Sequence, residues 1–151
     1  MAVKILKGVW FMSLMGTVAI FMYVYASLPD PIEIGDHARG ISISRNGLFY
    51  SMLGILAIFN ALVFTVSRLF KDRNEFFTSW FFVLVIFLNL FLVVAMQFIN
   101  LLSSSEKYDY DRIGFFIYGS IALLVFWATL WPFFVLVRKI RSKENVLTES
   151  N

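Results

Sequence analysis

Cysteine is absent from the 151 residues, which excludes disulfides, thiolate metal sites, iron–sulfur ligation, thiol nucleophiles and S-acylation. Histidine occurs once, as His37. A haem would need an axial ligand, and no histidine lies in an apolar run to provide one. Charged residues make up only 15% of the chain, against about 25% in soluble domains. Position 2 is alanine, not the glycine that myristoylation requires, and no Asn-x-Ser/Thr sequon occurs. A phosphate-cradling Gly-rich loop, an HExxH and a CxxC are all missing.

Apolar side chains fill the space these absences leave. The chain is 60% hydrophobic with a mean hydropathy of +0.78. Residues 76–102, FFTSWFFVLVIFLNLFLVVAMQFINLL, carry no charge over more than the ~20 residues a helix needs to cross a hydrocarbon core. Three further uncharged runs, 9–26, 47–66 and 113–137, then have to be judged by the same rule. The expected fold is an all-α integral membrane protein, four transmembrane helices in one antiparallel bundle with no soluble domain. Outer loops at 27–46 and 103–112, an inner loop at 67–75 and a tail at 138–151 complete it. The bilayer is the expected surrounding.

The first run follows Lys4 and Lys7 and ends in Val24-Tyr25-Ala26, a pattern shared with signal peptides. Its length exceeds the usual ~7–15 residue apolar region of those leaders, so an uncleaved span is expected. Ser13, Gly16, Thr17 and Ala19 give it a small-residue side. Pro29 and Pro31 stop it, because each lacks a backbone donor and biases its predecessor away from helix. Ile41-Ser42-Ile43-Ser44 alternates like a short extended segment.

Leu28, Pro29, Asp30 and Ile32 form a Leu-Pro-Asp-x-Ile step just outside a first span, with His37 and Gly40 before a second. This arrangement resembles the small bacterial membrane proteins of the SdpI-like immunity group. The resemblance covers the first two spans and their loop, and it implies a protective membrane protein. Where that group carries Pro-x-His-Phe, this chain has Glu33-Ile34-Gly35-Asp36-His37-Ala38, so no functional residue is transferred.

Nine Lys and Arg residues flank the expected inner ends (Lys4, Lys7, Arg68, Lys71, Arg73, Arg138, Lys139, Arg141, Lys143), and four flank the outer ends (Arg39, Arg45, Lys107, Arg112). The positive-inside rule then puts both termini in the cytoplasm, most simply at a bacterial inner membrane. Trp10, Trp80, Trp127 and Trp131 fall toward the inner ends of their spans and the tyrosines toward the outer ends, as amphipathic rings at interfaces would.

Within the spans the polar candidates are amides. Asn89 and Asn100 project within about 20° of each other on the third helix and Gln97 about 80° away, at ~100° per residue. On the second helix Ala57, Ala61 and Thr65 recur every four residues beside Asn60, a stripe that lets another helix approach. Helix–helix contact is therefore expected at Ala57, Asn60, Ala61, Thr65, Asn89, Gln97 and Asn100. An amide-lined path for an uncharged solute is the alternative, although coupled transporters usually carry charge inside their spans.

Outside the spans, His37 with Asp30, Glu33 and Asp36 could ligate a metal, but a solvated acidic loop explains them as well. Asp109 and Asp111 are two oxygen donors where Ca²⁺ normally recruits more, and Ser103, Ser104 and Ser105 have no indicated base. No metal, cofactor, catalytic residue or nucleic-acid partner is expected. Ile32, Ile34, Ile41 and Ile43 are costly to leave in water, so the first outer loop is expected to be ordered and to contact the bundle or a partner. The functional expectation is a non-catalytic accessory or structural subunit of a larger membrane complex with other integral membrane subunits as partners. The alternative is a small transporter or an immunity-type protective protein acting through the outer loop and an amide-lined interior.

Overall fold

Proline and glycine punctuate the chain sparsely, and long helices fill the intervals. The computed structural model describes residues 2–34, 41–70, 75–103 and 110–149. Four helices, α1 (Ala2–Ser27), α2 (Arg45–Leu69), α3 (Glu75–Leu102) and α4 (Tyr110–Glu149), account for most of them. Each contains a stretch long and apolar enough to cross a membrane, since 25 residues rise about 37 Å. Two strands, β1 (Ile32–Ile34) and β2 (Ile41–Ile43), pair antiparallel with Ile32 opposite Ile43 and Ile34 opposite Ile41.

α3 is the hub and packs against all three other helices. Its buried residues, Thr78, Phe82, Val85, Asn89, Leu92 and Met96, recur at alternating steps of four and three. That is the spacing characteristic of the seam of a left-handed helix pair. α1 answers with Trp10, Thr17, Phe21 and Val24, and Leu28 just past its end continues the row. The two run in the same direction, because Trp10 meets Phe82 and Ser27 meets Asn100. α2 runs the other way, its Asn60 near Trp10 and its Phe49 stacked on Phe21. α4 is antiparallel to α3, with Phe76 against Phe134 and Phe87 against Trp127.

The four helices therefore pack together as expected, but not as a square. The most extensive pairing is between the parallel α1 and α3, and α4 packs chiefly against α3 as an edge. No described side chain of α4 is buried. The fold also contains the two-stranded hairpin, which an all-α description omits.

Local sequence explains the ends. Ser44 sits extended before α2, and its hydroxyl accepts from the Gly47 N–H at 3.4 Å, a cap for donors that no helix turn can satisfy. Asp30 adds a second acceptor for the same helix start, taking the Arg45 N–H at 3.3 Å. Glu75 occupies the first turn of α3, where a carboxylate suits the positive end of the helix dipole. Helix α4 runs unbroken through Pro132 and past the last apolar residues to Glu149. Residues 138–149 contain neither glycine nor proline to end it.

Candidate functional site

Two apolar layers form the core, and a polar layer separates them. Trp10, Val63, Phe82 and Val85 make one, and Phe21, Val24, Leu28, Ile32 and Met96 the other. Between them, Ser13 and Thr17 on α1, Asn60 on α2 and Asn89 on α3 meet. Asn60 donates to Asn89 Oδ1 at 3.0 Å, and Asn89 Nδ2 reaches Ser13 Oγ at 3.1 Å and Asn60 Oδ1 at 3.3 Å. The indole N–H of Trp10 donates to Asn60 Oδ1 at 2.8 Å.

Backbone acceptors take up the remaining donors. Asn60 Nδ2 also reaches Leu56 O at 2.8 Å, Ser13 Oγ donates to Trp10 O at 2.8 Å, and Thr17 Oγ1 lies 2.8 Å from Ser13 O and 3.4 Å from Asn89 O. Every polar side chain in this layer has a partner, as burial demands. The void beside it, lined by Thr17, Phe21, Leu56 and Met96, measures about 10 Å³, at the lower limit for one water. Chemically this is a closed knot of neutral groups that locks three helices in register.

A second polar set laces the end where the hairpin sits. Tyr25 OH donates to Asn46 Oδ1 at 2.9 Å, and Ser27 Oγ donates to Asn100 Oδ1 at 3.1 Å. Arg45 lies 5.0 Å from the Tyr25 ring centroid and donates from Nη1 to Leu28 O at 3.2 Å. The cation thereby sits on a helix-terminal carbonyl and an aromatic face together.

The third arrangement lies between α3 and α4. Trp80 Nε1 donates to Trp127 O at 2.9 Å, and Trp127 Nε1 donates back to Trp80 O at 3.1 Å. Beside this reciprocal pair opens a cleft of about 370 Å³, whose walls include Phe76, Trp80, Val83, Trp127, Trp131 and Phe134. Its lining is rings and aliphatic carbon apart from Ser79.

The expected residues distribute unevenly over these features. Asn60 and Asn89 meet in the polar knot, and Asn100 bonds Ser27. Gln97 is exposed, as are Ala57, Ala61 and Thr65 along one side of α2, so none of these four contributes to the knot. Ile32 is fully buried in the hairpin-side apolar layer, Ile43 is half-buried and Ile41 is 65% exposed. Ile34 is placed by its backbone pairing.

Gly35, Asp36, His37, Arg39, Gly40, Ser104, Ser105 and Asp109 lie outside the described residues, as do Lys71 and Arg73. Among the described residues no group of three or more His, Cys, Asp or Glu side chains could hold a metal ion. Trp10, Trp80 and Trp127 acquire roles beyond marking interfaces, since each donates its N–H to an internal acceptor. The spacing of Trp127 and Trp131, one helical turn apart, was the sequence signal for that cluster.

The chain matches no protein-family model, no curated protein and no solved structure.

Proposed function

We propose that the protein is a non-catalytic, cofactor-free accessory or structural subunit of a larger membrane complex, crossing a bacterial inner membrane four times. The observation that carries this reading is the outward direction of the small-residue stripe on α2: Ala57, Ala61 and Thr65 are all exposed. Small side chains offer acyl chains little contact but let a second helix backbone come close. A stripe left uncovered by its own chain is placed for a helix of another. Exposed Ile41 on the hairpin offers a further apolar contact outside the spans.

The saturated polar knot supports a structural part for the buried amides. A solute path through them gains no support from a void of about 10 Å³. Nine basic flanking residues against four support cytoplasmic termini and a cytoplasmic 67–75 loop.

Extraction in mild detergent from cells expressing the protein at native level should recover stoichiometric integral membrane partners. Ala57→Leu with Ala61→Leu should reduce their recovery about tenfold, the effect of ~1.4 kcal/mol of lost helix contact, with melting unchanged. A lone monodisperse monomer from the parent chain overturns the reading. For orientation, Ser42→Cys should label with an impermeant maleimide in spheroplasts and Ser150→Cys only after lysis; the reverse pattern inverts the topology.

A further inference from the structure

Trp127, Trp131, Phe134 and Arg138 stand on one stripe of α4, at successive steps of four, three and four residues. The first three line the α3–α4 cleft. Arg138 extends the same stripe one turn, about 5.4 Å, beyond Phe134, whose ring faces Phe76 in the first turn of α3. The cleft therefore runs from an aromatic floor to a basic mouth. Arg138 and the adjoining Lys139 are exposed, and among the described residues Glu75, at the start of α3, is the carboxylate next to the lining residues in sequence. Among the described residues, two positive charges thus follow the lining on α4 and one negative charge precedes it on α3.

The floor is largely apolar because part of its polarity is spent internally. Both indole N–H groups of Trp80 and Trp127 go to each other's backbone carbonyls, which leaves ring faces and aliphatic carbon, with the Ser79 hydroxyl and the Trp131 indole, to meet an occupant. A volume of about 370 Å³ falls within the ~300–1,000 Å³ of small-ligand pockets. An apolar trough ending in a guanidinium and an ammonium matches a molecule with a hydrocarbon tail and an anionic head.

We propose that this cleft binds one anionic phospholipid, with an acyl chain among the rings and the phosphate at Arg138 and Lys139. The site goes beyond the accessory-subunit reading and rests on its membrane placement. That placement puts the mouth at the cytoplasmic leaflet, where anionic headgroups and basic side chains attract.

Tryptophan fluorescence reads the site directly, because three of the four tryptophans line the cleft and bromine on an acyl chain quenches indoles on contact. The full chain is placed in nanodiscs with graded mole fractions of dibrominated phosphatidylglycerol or dibrominated phosphatidylcholine. Quenching should saturate at a lower mole fraction of the anionic lipid, with a preference of about fivefold per basic residue. Arg138→Gln should cost about one such factor, and Arg138→Gln with Lys139→Gln should abolish the preference.

These two positions are exposed, so neither change threatens folding. Ser79→Phe, which fills the cleft, should remove the saturable phase, and native mass spectrometry of the parent should retain one phosphatidylglycerol that the double Gln variant loses. Equal quenching by the two lipids, or a preference that survives the double change, overturns the proposal. Displacement by millimolar inorganic phosphate would mark a free-anion site and also overturn it, as would a co-purified protein shielding the indoles from both lipids. Release of the chain from membranes by alkaline carbonate would instead refute the membrane placement itself.

Discussion

The α1–α2–α3 core and the α3–α4 edge are built from helices of similar apolar content, yet they are held by different physics. In the core, small and amide side chains draw three helices around buried Asn60 and Asn89, and Phe82 and Val85 fill the seam beside them. At the edge, α4 buries no described residue and touches α3 through rings and two indole-to-backbone bonds. Hydrophobicity alone does not choose between these outcomes, because inside a bilayer an apolar side chain is as well solvated by lipid as by another helix. Close fit and hydrogen bonds make the choice. A core of this kind keeps one arrangement, whereas an edge leaves space that something else can occupy.

The largest test of that contrast compares two phenylalanines. Phe82 is 2% exposed and Phe133 on α4 is 66% exposed. Phe82→Ala should destabilise the folded chain by about 2 kcal/mol, the cavity part of the ~3–5 kcal/mol that Phe→Ala costs in a water-soluble core, since lipid also solvates the ring in the unfolded reference. Phe133→Ala should stay within about 0.5 kcal/mol, as surface changes usually do. Reversible unfolding in mixed detergent–SDS micelles measures both. Equal losses would mean that α4 is packed as tightly as the core and would erase the distinction.

The same physics decides what was legible in the residues. The existence of four long apolar helices was plain, because in a bilayer an uncharged run of sufficient length leaves a polar backbone few alternatives to helix. Span ends were less so. α1 starts at Ala2 and α4 reaches Glu149, since a helix tolerates Lys4, Lys7 and the polar residues after Arg138 as readily as apolar ones. The hairpin was half visible: Ile41-Ser42-Ile43 alternates, but Ile32-Glu33-Ile34 becomes a strand only through its partner.

Faces were hardest. α3 is apolar nearly all round, so its four-three seam is hidden among equally apolar neighbours, and only Asn89 betrays it. Gln97 carries the same chemistry yet lies exposed, within two turns of the helix end at Leu102. The stripe of Ala57, Ala61 and Thr65 pointed to close helix contact, but within this chain the side of α2 that packs is Leu56, Asn60 and Val63. Spacing can define a stripe without saying which helix, or whose, covers it.

A smaller effect sharpens the comparison further, because it asks whether the polar knot acts as a unit. Asn89 links α3 to both other core helices: it accepts from Asn60, donates to Ser13 and to Asn60, and its backbone carbonyl lies near the Thr17 hydroxyl. Asn89→Leu keeps the side chain's length but strands Asn60 Nδ2 with Leu56 O alone and Asn60 Oδ1 with Trp10 alone. Interhelical hydrogen bonds in lipid contribute about 0.6–1.7 kcal/mol, so a loss of about 1–2 kcal/mol is expected. Asn60→Leu should cost a similar amount, since it orphans the Trp10 N–H as well. If the two amides serve one another, Asn60→Leu with Asn89→Leu should cost about 1 kcal/mol less than the two single losses added, because the second removal finds its partner already gone. Strict additivity in that cycle, measured by the same micelle unfolding, would show each amide acting through its other partners, Leu56 O and Trp10 for Asn60 and Ser13 for Asn89, and would dissolve the knot into separate bonds.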